Sequence, residues 1–189
     1  MLYGVDTDTP LSAESCKVIR GVSPNVVGVG RYLRNMNQAE VEIIHASGLK
    51  IWPIAERGDP INPHYFTRTQ ARLDGGFALT LANHLHVPSS VPIWFALDGD
   101  FPVTPAVLAY LDELKGIEHA LGIYCNAQQA WEIFNSGIGN KISYWQTSGN
   151  GSNGLLFPWA QMVQYVSGQT NTIAGVPVDW NVVDENLLW

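Results

Sequence analysis

Charged residues and cysteines are scarce in this sequence. Charged side chains account for 14% of the 189 residues and hydrophobic ones for 46%, which is typical of a compact globular chain and not of a disordered one. Basic residues are outnumbered by acidic ones, 10 against 17, so the net charge is -7. Because no cluster of Lys or Arg stands out, we expect neither a nucleic acid nor a membrane surface as the partner.

Long apolar runs are also missing. The apolar segment Val91–Leu97 is far shorter than the roughly 20 residues that cross a membrane. The first residues already predict a strand, Leu2–Val5, with neither a basic start nor a long apolar core before it. We therefore expect no signal peptide in this chain; export would need a signal that has been removed, or another protein.

The sequence lacks the spacings of a disulfide, a zinc site or a dinucleotide site. Cys16 and Cys125 have no paired spacing, so we expect two small buried hydrophobic side chains. His84 and His86 lie two residues apart on a predicted helix, where their side chains point in different directions. The Gly-Val-Gly at 28–30 lacks the third glycine of dinucleotide-binding loops. We expect no cofactor and no metal.

Short apolar segments alternate with helical patterns over the first two thirds of the chain. The predicted strands of this part are Leu2–Val5, Val26–Leu33, Leu49–Ala55, Val91–Leu97 and Leu121–Cys125. The predicted helices between and after them are Ser12–Arg20, Gln38–Ala46, Tyr65–Leu85, Pro105–Ile117 and Gln128–Phe134. Three more strands are predicted, with no long amphipathic helix between the last two: Ile142–Gln146, Met162–Val166 and Val176–Trp180.

This pattern predicts an α/β fold, a distorted TIM-type barrel that forms a single domain over residues 1–189. Strands that are apolar throughout and alternate with helices favour a parallel sheet covered on both faces. Eight strands close a barrel, and missing helices in the final third explain why the chain is shorter than the ~250 residues of a regular barrel. The alternative is an open, doubly wound sheet.

Acidic residues recur at the carboxyl ends of the predicted strands, where a barrel has its active site. Asp6 ends the first strand, Glu56 the third and Asp179 the last, while Asp98 and Asp100 follow the fourth. A single acid at such a position commonly caps a loop or a helix N-terminus. Acids at four strand ends of one barrel are harder to explain in this way, because crowded like charges cost stability unless they serve chemistry or bind a cation.

The two acids after the fourth strand lie two residues apart. If the strand continues, Asp98 and Asp100 share one face with Trp94 and Ala96. The opposite face, toward the helices, then holds Ile93, Phe95 and Leu97. An Asp-x-Asp also holds a metal and a sugar nucleotide in some glycosyltransferases, but no phosphate-binding loop accompanies it here.

A ring of carboxylates suits glycoside hydrolysis. One carboxyl group must stay protonated to donate to the leaving oxygen, and a second must be ionised to stabilise the transition state or activate water. Aromatic residues near the same strand ends add faces on which sugar rings pack: Tyr32, Tyr124, Trp145, Tyr165 and Trp180. Arg57 and His64, in the loop after the third strand, are further candidates for the rim.

Several short motifs follow one another in a recognisable order. They are Gly4-Val5-Asp6, Phe95-Ala96-Leu97-Asp98-Gly99-Asp100, Gly122-Ile123-Tyr124, Gln164-Tyr165 and Val178-Asp179-Trp180-Asn181. Over nearly its whole length the chain resembles the glycoside-hydrolase-like domain of unknown function numbered 1906, a relative of the family 25 lysozyme-type muramidases. The resemblance implies a flattened barrel of five β/α units followed by three strands. It also implies that the protein acts on peptidoglycan or a related amino-sugar glycan, at the cell wall or outside the cell.

The resemblance also implies roles for individual residues. The implied catalytic residues are Asp98, Asp100, Asp6 and Asp179, with Glu56 as an additional candidate. The candidate substrate-binding residues, most of them aromatic residues near the same strand ends, are Tyr32, Tyr124, Trp145, Gln164, Trp180 and Asn181. In the muramidases a Glu stands at the position of Asp100, so the carboxyl group is one methylene shorter here. We expect Asp100 to donate the proton and Asp98 to be its ionised partner, unless Glu56 takes over the donation or the domain binds glycan without cleaving it.

Overall fold

The computed structural model describes residues 1–148, 152, 154–165 and 171–189. Its strands are β1 (Tyr3–Thr7), β2 (Val26–Tyr32), β3 (Lys50–Ala55), β4 (Ile93–Ala96), β5 (Leu121–Cys125), β6 (Ile142–Thr147), β7 (Met162–Gln164), β8 (Asn171–Ile173) and β9 (Val176–Val182). Its α-helices are α1 (Ala13–Val22), α2 (Gln38–Ala46), α3 (Arg68–His84), α4 (Pro105–Leu114) and α5 (Ala127–Asn135). Short 3₁₀ turns cover Leu33–Asn35, Pro63–Tyr65, Gly139–Lys141 and Glu185–Leu187.

Eight of the strands close a barrel. From β1 to β7 each strand pairs in parallel with the next, and β9 closes the ring by pairing with both β7 and β1. The β1–β9 pairing aligns Asp6 with Asp179. Ring closure excludes the open doubly wound sheet and confirms the distorted TIM-type barrel.

The last barrel strand differs from the parallel arrangement that the alternation predicted. β9 is antiparallel to both of its neighbours in the barrel. Antiparallel strands can be joined by a tight turn, whereas parallel strands need a long crossover connection. β8, which was not predicted, pairs antiparallel with β9 through a turn at Ala174 and Gly175, both with positive φ. The hairpin reverses the direction of the chain, so that β9 lies beside β1 and runs antiparallel to it.

Element boundaries differ where capping residues were not recognised. Helix α3 begins at Arg68, three residues after the predicted start, because the Thr67 side chain accepts a hydrogen bond from the Gln70 backbone N–H. The Gly75-Gly76 pair lies inside this helix, and a Cβ at Gly75 would lie 2.9 Å from the Ile117 side chain. Glycine therefore permits the close approach to the chain after α4. The predicted end of the seventh strand, Val166, and much of the predicted loop 148–154 lie outside the described residues.

The barrel has an outer and an inner core. The outer core, between strands and helices, includes Ile93, Phe95 and Leu97, and the inner core includes Trp52 and Trp94. The predicted orientation of the fourth strand is therefore confirmed. Cys16 and Cys125 are both buried and free, as predicted. No helix in the described part of the chain has the length and apolar content to cross a membrane.

Large side chains fill the barrel interior below the mouth. The Trp145 ring meets the rings of Trp52 and Trp94 edge to face, with ring centroids about 6 Å apart in each pair. Gly30 and Gly122 make room for them, since a Cβ at Gly122 would lie 2.5 Å from the Trp94 ring. The interior is a packed core in the described part of the chain, so the barrel offers a ligand no central channel there, and a cleft opens at the carboxyl ends of the parallel strands.

Candidate active site

A cleft lies at the carboxyl ends of the barrel strands, in two lobes. The acidic lobe, about 310 Å³, is lined by Asp6, Thr7, Asp8, Tyr32, Arg34, Glu56, Pro177, Val178 and Asp179. The aromatic lobe, about 200 Å³, is lined by Asp6, Tyr32, Ile54, Glu56, Ala96, Asp98, Tyr124, Trp145, Gln164 and Asp179. Four residues are common to both lobes, namely Asp6, Tyr32, Glu56 and Asp179, so the lobes form one continuous cleft.

Most of the residues that were implied as catalytic or substrate-binding border this cleft. Those in the lining are Asp6, Glu56, Asp98, Asp179, Tyr32, Tyr124, Trp145 and Gln164. Asn181 is fully buried behind the lining, where it contacts Asp6. The structure thus gathers carboxylates around one space from four separate strands: Asp6 on β1, Glu56 and Asp98 just after β3 and β4, and Asp179 in the middle of β9.

Asp100 and Trp180 lie apart from the cleft lining. β4 ends at Ala96, so the strand alternation that would place Asp100 beside Asp98 does not continue. The turn that follows is held by Gln129, whose side-chain amide donates to the carbonyl of Gly99 at 2.8 Å, and Asp100 is exposed. Trp180 packs against the outer core, since on β9 it points away from the face that carries Asp179 and Asn181.

The proposed rim residues Arg57 and His64 do not line either lobe. Arg57 places its guanidinium 5.0 Å from the centre of the Phe77 ring, and His64 lines a separate surface groove. The loop that carries them is nevertheless bonded to a residue of the cleft. Its Pro60 carbonyl accepts a hydrogen bond from the Asp98 backbone N–H at 3.0 Å. That bond ties the loop after β3 to the end of β4.

A buried carboxylate anchors the far end of the same loop. The Tyr65 and Tyr110 hydroxyls donate to Asp74 Oδ2 at 2.8 and 2.9 Å, and the Gln70 amide donates to Asp74 Oδ1 at 2.8 Å. Gly58 adopts φ +70°, and a Cβ there would run into the Tyr65 ring. Both ends of the loop after Glu56 are therefore fixed, which holds that side of the cleft in place.

Asp6 is the most buried carboxylate of the cleft, with 6% of its surface exposed. Its Oδ2 accepts hydrogen bonds from the side-chain amides of Asn181 at 2.7 Å and Gln164 at 3.3 Å. Burial, together with the nearby charges of Asp179 and Glu56, raises its pKa to about 7 against the opposing effect of the two amides. Asp6 can therefore both give and take a proton near neutral pH.

Three further cleft carboxylates, Glu56, Asp98 and Asp179, have raised pKa values as well. Burial raises the pKa of Glu56, with further increases from the charges of Asp98 and Asp8, while the Arg34 guanidinium opposes them. Burial also raises the pKa of Asp98 and that of Asp179. Crowded and partly buried carboxyl groups divide into protonated and ionised members, which is the condition that acid–base catalysis on a glycosidic bond requires.

Sequence reasoning missed Arg34. Its guanidinium lies in the acidic lobe, 5.1 Å from the centre of the Tyr32 ring and 3.8 Å from Glu56 Oε1, and it also donates to the Glu56 backbone carbonyl. Its position two residues after the end of β2 was the available signal. Across the ranges described above, no three His, Cys, Asp or Glu side chains are arranged to hold a metal ion.

Several solved structures share this barrel, among them one mycobacterial and two pneumococcal proteins. The Tat-secreted protein Rv2525c of Mycobacterium tuberculosis, in complex with HEPES, is 20% identical with a TM-score of 0.81, over 96% of this chain and 94% of its own. GHIP of Streptococcus pneumoniae, a glycosyl hydrolase 25 that participates in host cell invasion, is 15% identical with a TM-score of 0.61, over 97% of this chain and 87% of its own. The modular autolysin LytC of the same species, in complex with a synthetic peptidoglycan ligand, is 14% identical with a TM-score of 0.61, over 95% of this chain and 46% of its own.

At these identities the structural matches show the fold alone, and a comparison with curated proteins finds no match. The sequence itself gives the family. The sequence model of the Rv2525c-like, glycoside hydrolase-like domain matches residues 19–187, which is most of the chain. The resemblance that the ordered motifs indicated is therefore confirmed, and the chain belongs to the family of Rv2525c-like, glycoside hydrolase-like domains.

Proposed function

We propose that this protein is a glycoside hydrolase that cleaves β-1,4 bonds in bacterial cell-wall peptidoglycan. The observation that carries the proposal is the convergence of Asp6, Glu56, Asp98 and Asp179 on one cleft that also has an aromatic wall. Acids with raised pKa values beside ionised partners are what glycosidic bond cleavage needs. No cofactor enters this chemistry.

The proposal gives each carboxyl group a role. Glu56 donates a proton to the glycosidic oxygen, and the bond from that oxygen to the anomeric carbon breaks. Asp98, ionised, stabilises the positive charge that develops on the sugar. Asp6 accepts a proton from the water that adds to the anomeric carbon, and Asp179 orients the water or the sugar. We place Glu56 in the role first expected of Asp100, because Glu56 lines both lobes whereas Asp100 is exposed beyond them.

The aromatic lobe supports a sugar as the ligand. Tyr32 and Tyr124 are half-buried and line this lobe, so each presents part of a ring to the cleft. Sugar rings pack their C–H faces on such rings while their hydroxyl groups reach carboxylates. The polar lining of the acidic lobe suits a ligand rich in hydrogen-bonding groups, such as an amino-sugar glycan.

Family and fold support the cell wall as the place of action. LytC is an autolysin seen with a peptidoglycan ligand, and Rv2525c is a Tat-secreted protein. By analogy we propose that this protein acts at the cell wall or outside the cell, with neither nucleic acid nor membrane as its partner. The net charge of -7 is consistent with this, since it disfavours polyanionic partners.

The test is a comparison of wild type with Asp98→Asn, Asp100→Asn and Glu56→Gln in the lysis of purified cell walls. General acid catalysis typically contributes about 10²–10⁴-fold to the rate, so Glu56→Gln should lower lysis by at least about 100-fold. Asp98→Asn should also lose most activity, whereas Asp100→Asn should stay within a few-fold of wild type. If Asp100→Asn abolishes lysis and Glu56→Gln does not, the donor is Asp100.

A second candidate function is glycan binding without cleavage. The position of Asp100 favours it, because only one acid of the Asp-x-Asp pair lies in the cleft. A wild-type protein that binds peptidoglycan and chitooligosaccharides but lyses neither would support binding alone. Loss of all activity on chelation would instead point to a metal-dependent enzyme.

A further inference from the structure

We propose that four residues in and directly behind the cleft position the Asp6 carboxyl group. Gln164 and Asn181 hold its carboxylate by hydrogen bonds, and Tyr124 and Trp145 fix the direction in which those two amides point. We call this set the amide relay. The catalytic part of the inference rests on the proposed hydrolase function, but the hydrogen-bond arrangement does not.

The hydrogen bond between Trp145 and Asn181 can have only one donor, the indole N–H. The indole N–H donates to Asn181 Oδ1 at 2.8 Å, and an indole nitrogen has no acceptor. The atom of Asn181 that faces Trp145 must therefore be its oxygen. The amide nitrogen then points the other way, where Nδ2 lies 2.7 Å from Asp6 Oδ2.

The Tyr124 half repeats this arrangement on the other side of Asp6. The Tyr124 hydroxyl lies 2.7 Å from Gln164 Oε1 and donates to it. Gln164 Nε2 is thereby left to donate to Asp6 Oδ2 at 3.3 Å. Two aromatic donors on two different strands thus direct two N–H groups at the same carboxylate oxygen.

The burial of Trp145 supports positioning over sugar stacking. Its side chain is 2% exposed, and its ring meets Trp52, Trp94 and Tyr124 edge to face. Such a ring has almost no free face for a sugar. Its polar atom, in contrast, has a defined partner in Asn181.

The relay determines which oxygen of Asp6 exchanges its proton. A proton on Oδ2 would oppose two N–H donors, so a protonated Asp6 carries it on Oδ1. Oδ1 is then the atom that takes the proton of the attacking water. Without the relay the carboxyl group could rotate, and either oxygen could carry the proton.

The groups around Asp6 explain why the relay should also control its titration. The titratable and charged side chains that line the cleft together with Asp6 are Asp8, Tyr32, Arg34, Glu56, Asp98, Tyr124 and Asp179. Arg34 is the basic member of this set; burial and the carboxylates raise the pKa of Asp6, while the Asn181 and Gln164 amides lower it. Removal of either amide should raise that pKa further.

The experiment measures the carboxyl carbon shift of Asp6 by NMR as a function of pH, in protein labelled at aspartate. Wild type is compared with Asn181→Ala, Gln164→Ala, Tyr124→Phe and Trp145→Phe. Loss of one amide bond to a charged group should raise the pKa of Asp6 by roughly one unit. Tyr124→Phe and Trp145→Phe, which keep a ring but release an amide, should raise it by a smaller amount.

Asn126→Ala is the matched control, since Asn126 is buried and its side chain caps α5 instead of contacting Asp6. It should lower stability without moving the pKa of Asp6. An unchanged pKa in both folded amide variants would overturn the proposal. If the pKa of Asp6 rises in the two amide variants but not in Tyr124→Phe and Trp145→Phe, the claim that Tyr124 and Trp145 direct the amides is overturned.

The same variants separate this inference from the proposed function. If wild type hydrolyses glycan, the limb of the pH–rate profile that reports Asp6 should move upward with the measured pKa, while a ring-stacking role for Trp145 would leave the profile of Trp145→Phe in place. If wild type hydrolyses nothing, the hydrolase proposal fails, and the NMR titrations still decide whether the relay holds Asp6.

Discussion

Asp6→Asn should stabilise the protein at alkaline pH, although Asp6 is buried. In the folded protein the pKa of Asp6 rises from 3.8 to about 7. Each unit corresponds to about 1.4 kcal/mol, so ionising Asp6 in the folded state costs on the order of 4 kcal/mol. Asparagine keeps the shape and one acceptor oxygen for the amides of Gln164 and Asn181 but never ionises. We expect a gain on the order of 3 kcal/mol above about pH 7, a sizeable part of a typical stability of roughly 5–15 kcal/mol.

The pH dependence follows from the direction of the shift. The unfolded chain releases the Asp6 proton near pH 3.8, whereas the folded protein keeps it up to about pH 7. The stability that the protonated Asp6 contributes is therefore complete below pH 3.8 and is lost as the pH rises to about 7. Urea unfolding of wild type and Asp6→Asn from about pH 4 to about pH 8 measures the difference in free energy. The difference should grow across this window and then level off.

The exposed Asp59 offers a matched control for this measurement. Asp59→Asn should change the free energy of unfolding by less than about 0.5 kcal/mol at every pH. An advantage of Asp6→Asn that does not change with pH, or a variant less stable than wild type at about pH 8, would refute the reasoning about the buried carboxylate.

Three further predictions concern the cleft and the barrel interior. The pH–rate profile of cell-wall lysis should have a limb near 7, the pKa of Asp6. Arg34→Gln should raise the pKa of Glu56, because Arg34 lowers it, and should move the limb of the same profile that reports Glu56 to higher pH. Gly122→Ala should cost about 1–3 kcal/mol in urea unfolding, because its Cβ would lie 2.5 Å from the Trp94 ring; a neutral outcome would mean that the inner core is loosely packed.

The fold could be predicted because barrel strands carry a strong pattern. Ile93, Phe95 and Leu97 point outward and Trp94 inward, as period-two alternation requires, and the same periodicity identified the strand ends where acids cluster. The reversed direction of β9 was harder to predict, since the alternation of residues in a strand is identical in parallel and antiparallel pairing. The turn at Ala174 and Gly175, which joins β8 to β9 in antiparallel pairing, carries no signal in that alternation.

The residues of the cleft could be predicted where they lie on a strand or directly after it, and not where the backbone leaves the strand geometry. Asp98 lies in the cleft, but Asp100 does not, because the backbone turns away after Ala96 and Gln129 holds that turn from a distant helix. Trp180 was predicted to lie near the cleft because it is close to a strand end. Its side chain points outward instead, since residues alternate along β9 and Asp179 and Asn181 occupy the inner face. Arg34 reaches the acidic lobe from a 3₁₀ turn, which has no periodic signal.

The direction of the two amides at Asp6 had no signature in the sequence. Gln164 and Asn181 were implicated as substrate-binding residues, yet their side-chain amides hydrogen-bond to Tyr124, Trp145, Asp6 and the Asp179 carbonyl. These bonds join strands that are far apart along the chain, and only the closed barrel brings them together. A polar residue near a strand end indicates that the site is polar. Which group that residue hydrogen-bonds depends on the three-dimensional arrangement of the strands.

Chemical analysis of the products formed from purified peptidoglycan tests the central claim most directly. Wild-type protein is incubated with the glycan, new reducing ends are counted, and the fragments are identified by mass spectrometry, with heat-denatured protein as the blank. Hydrolysis of β-1,4 bonds predicts new reducing ends and fragments that differ by whole disaccharide units. Glycan that binds the protein but shows no reducing ends above the blank, on peptidoglycan and chitooligosaccharides alike, would contradict the hydrolase account.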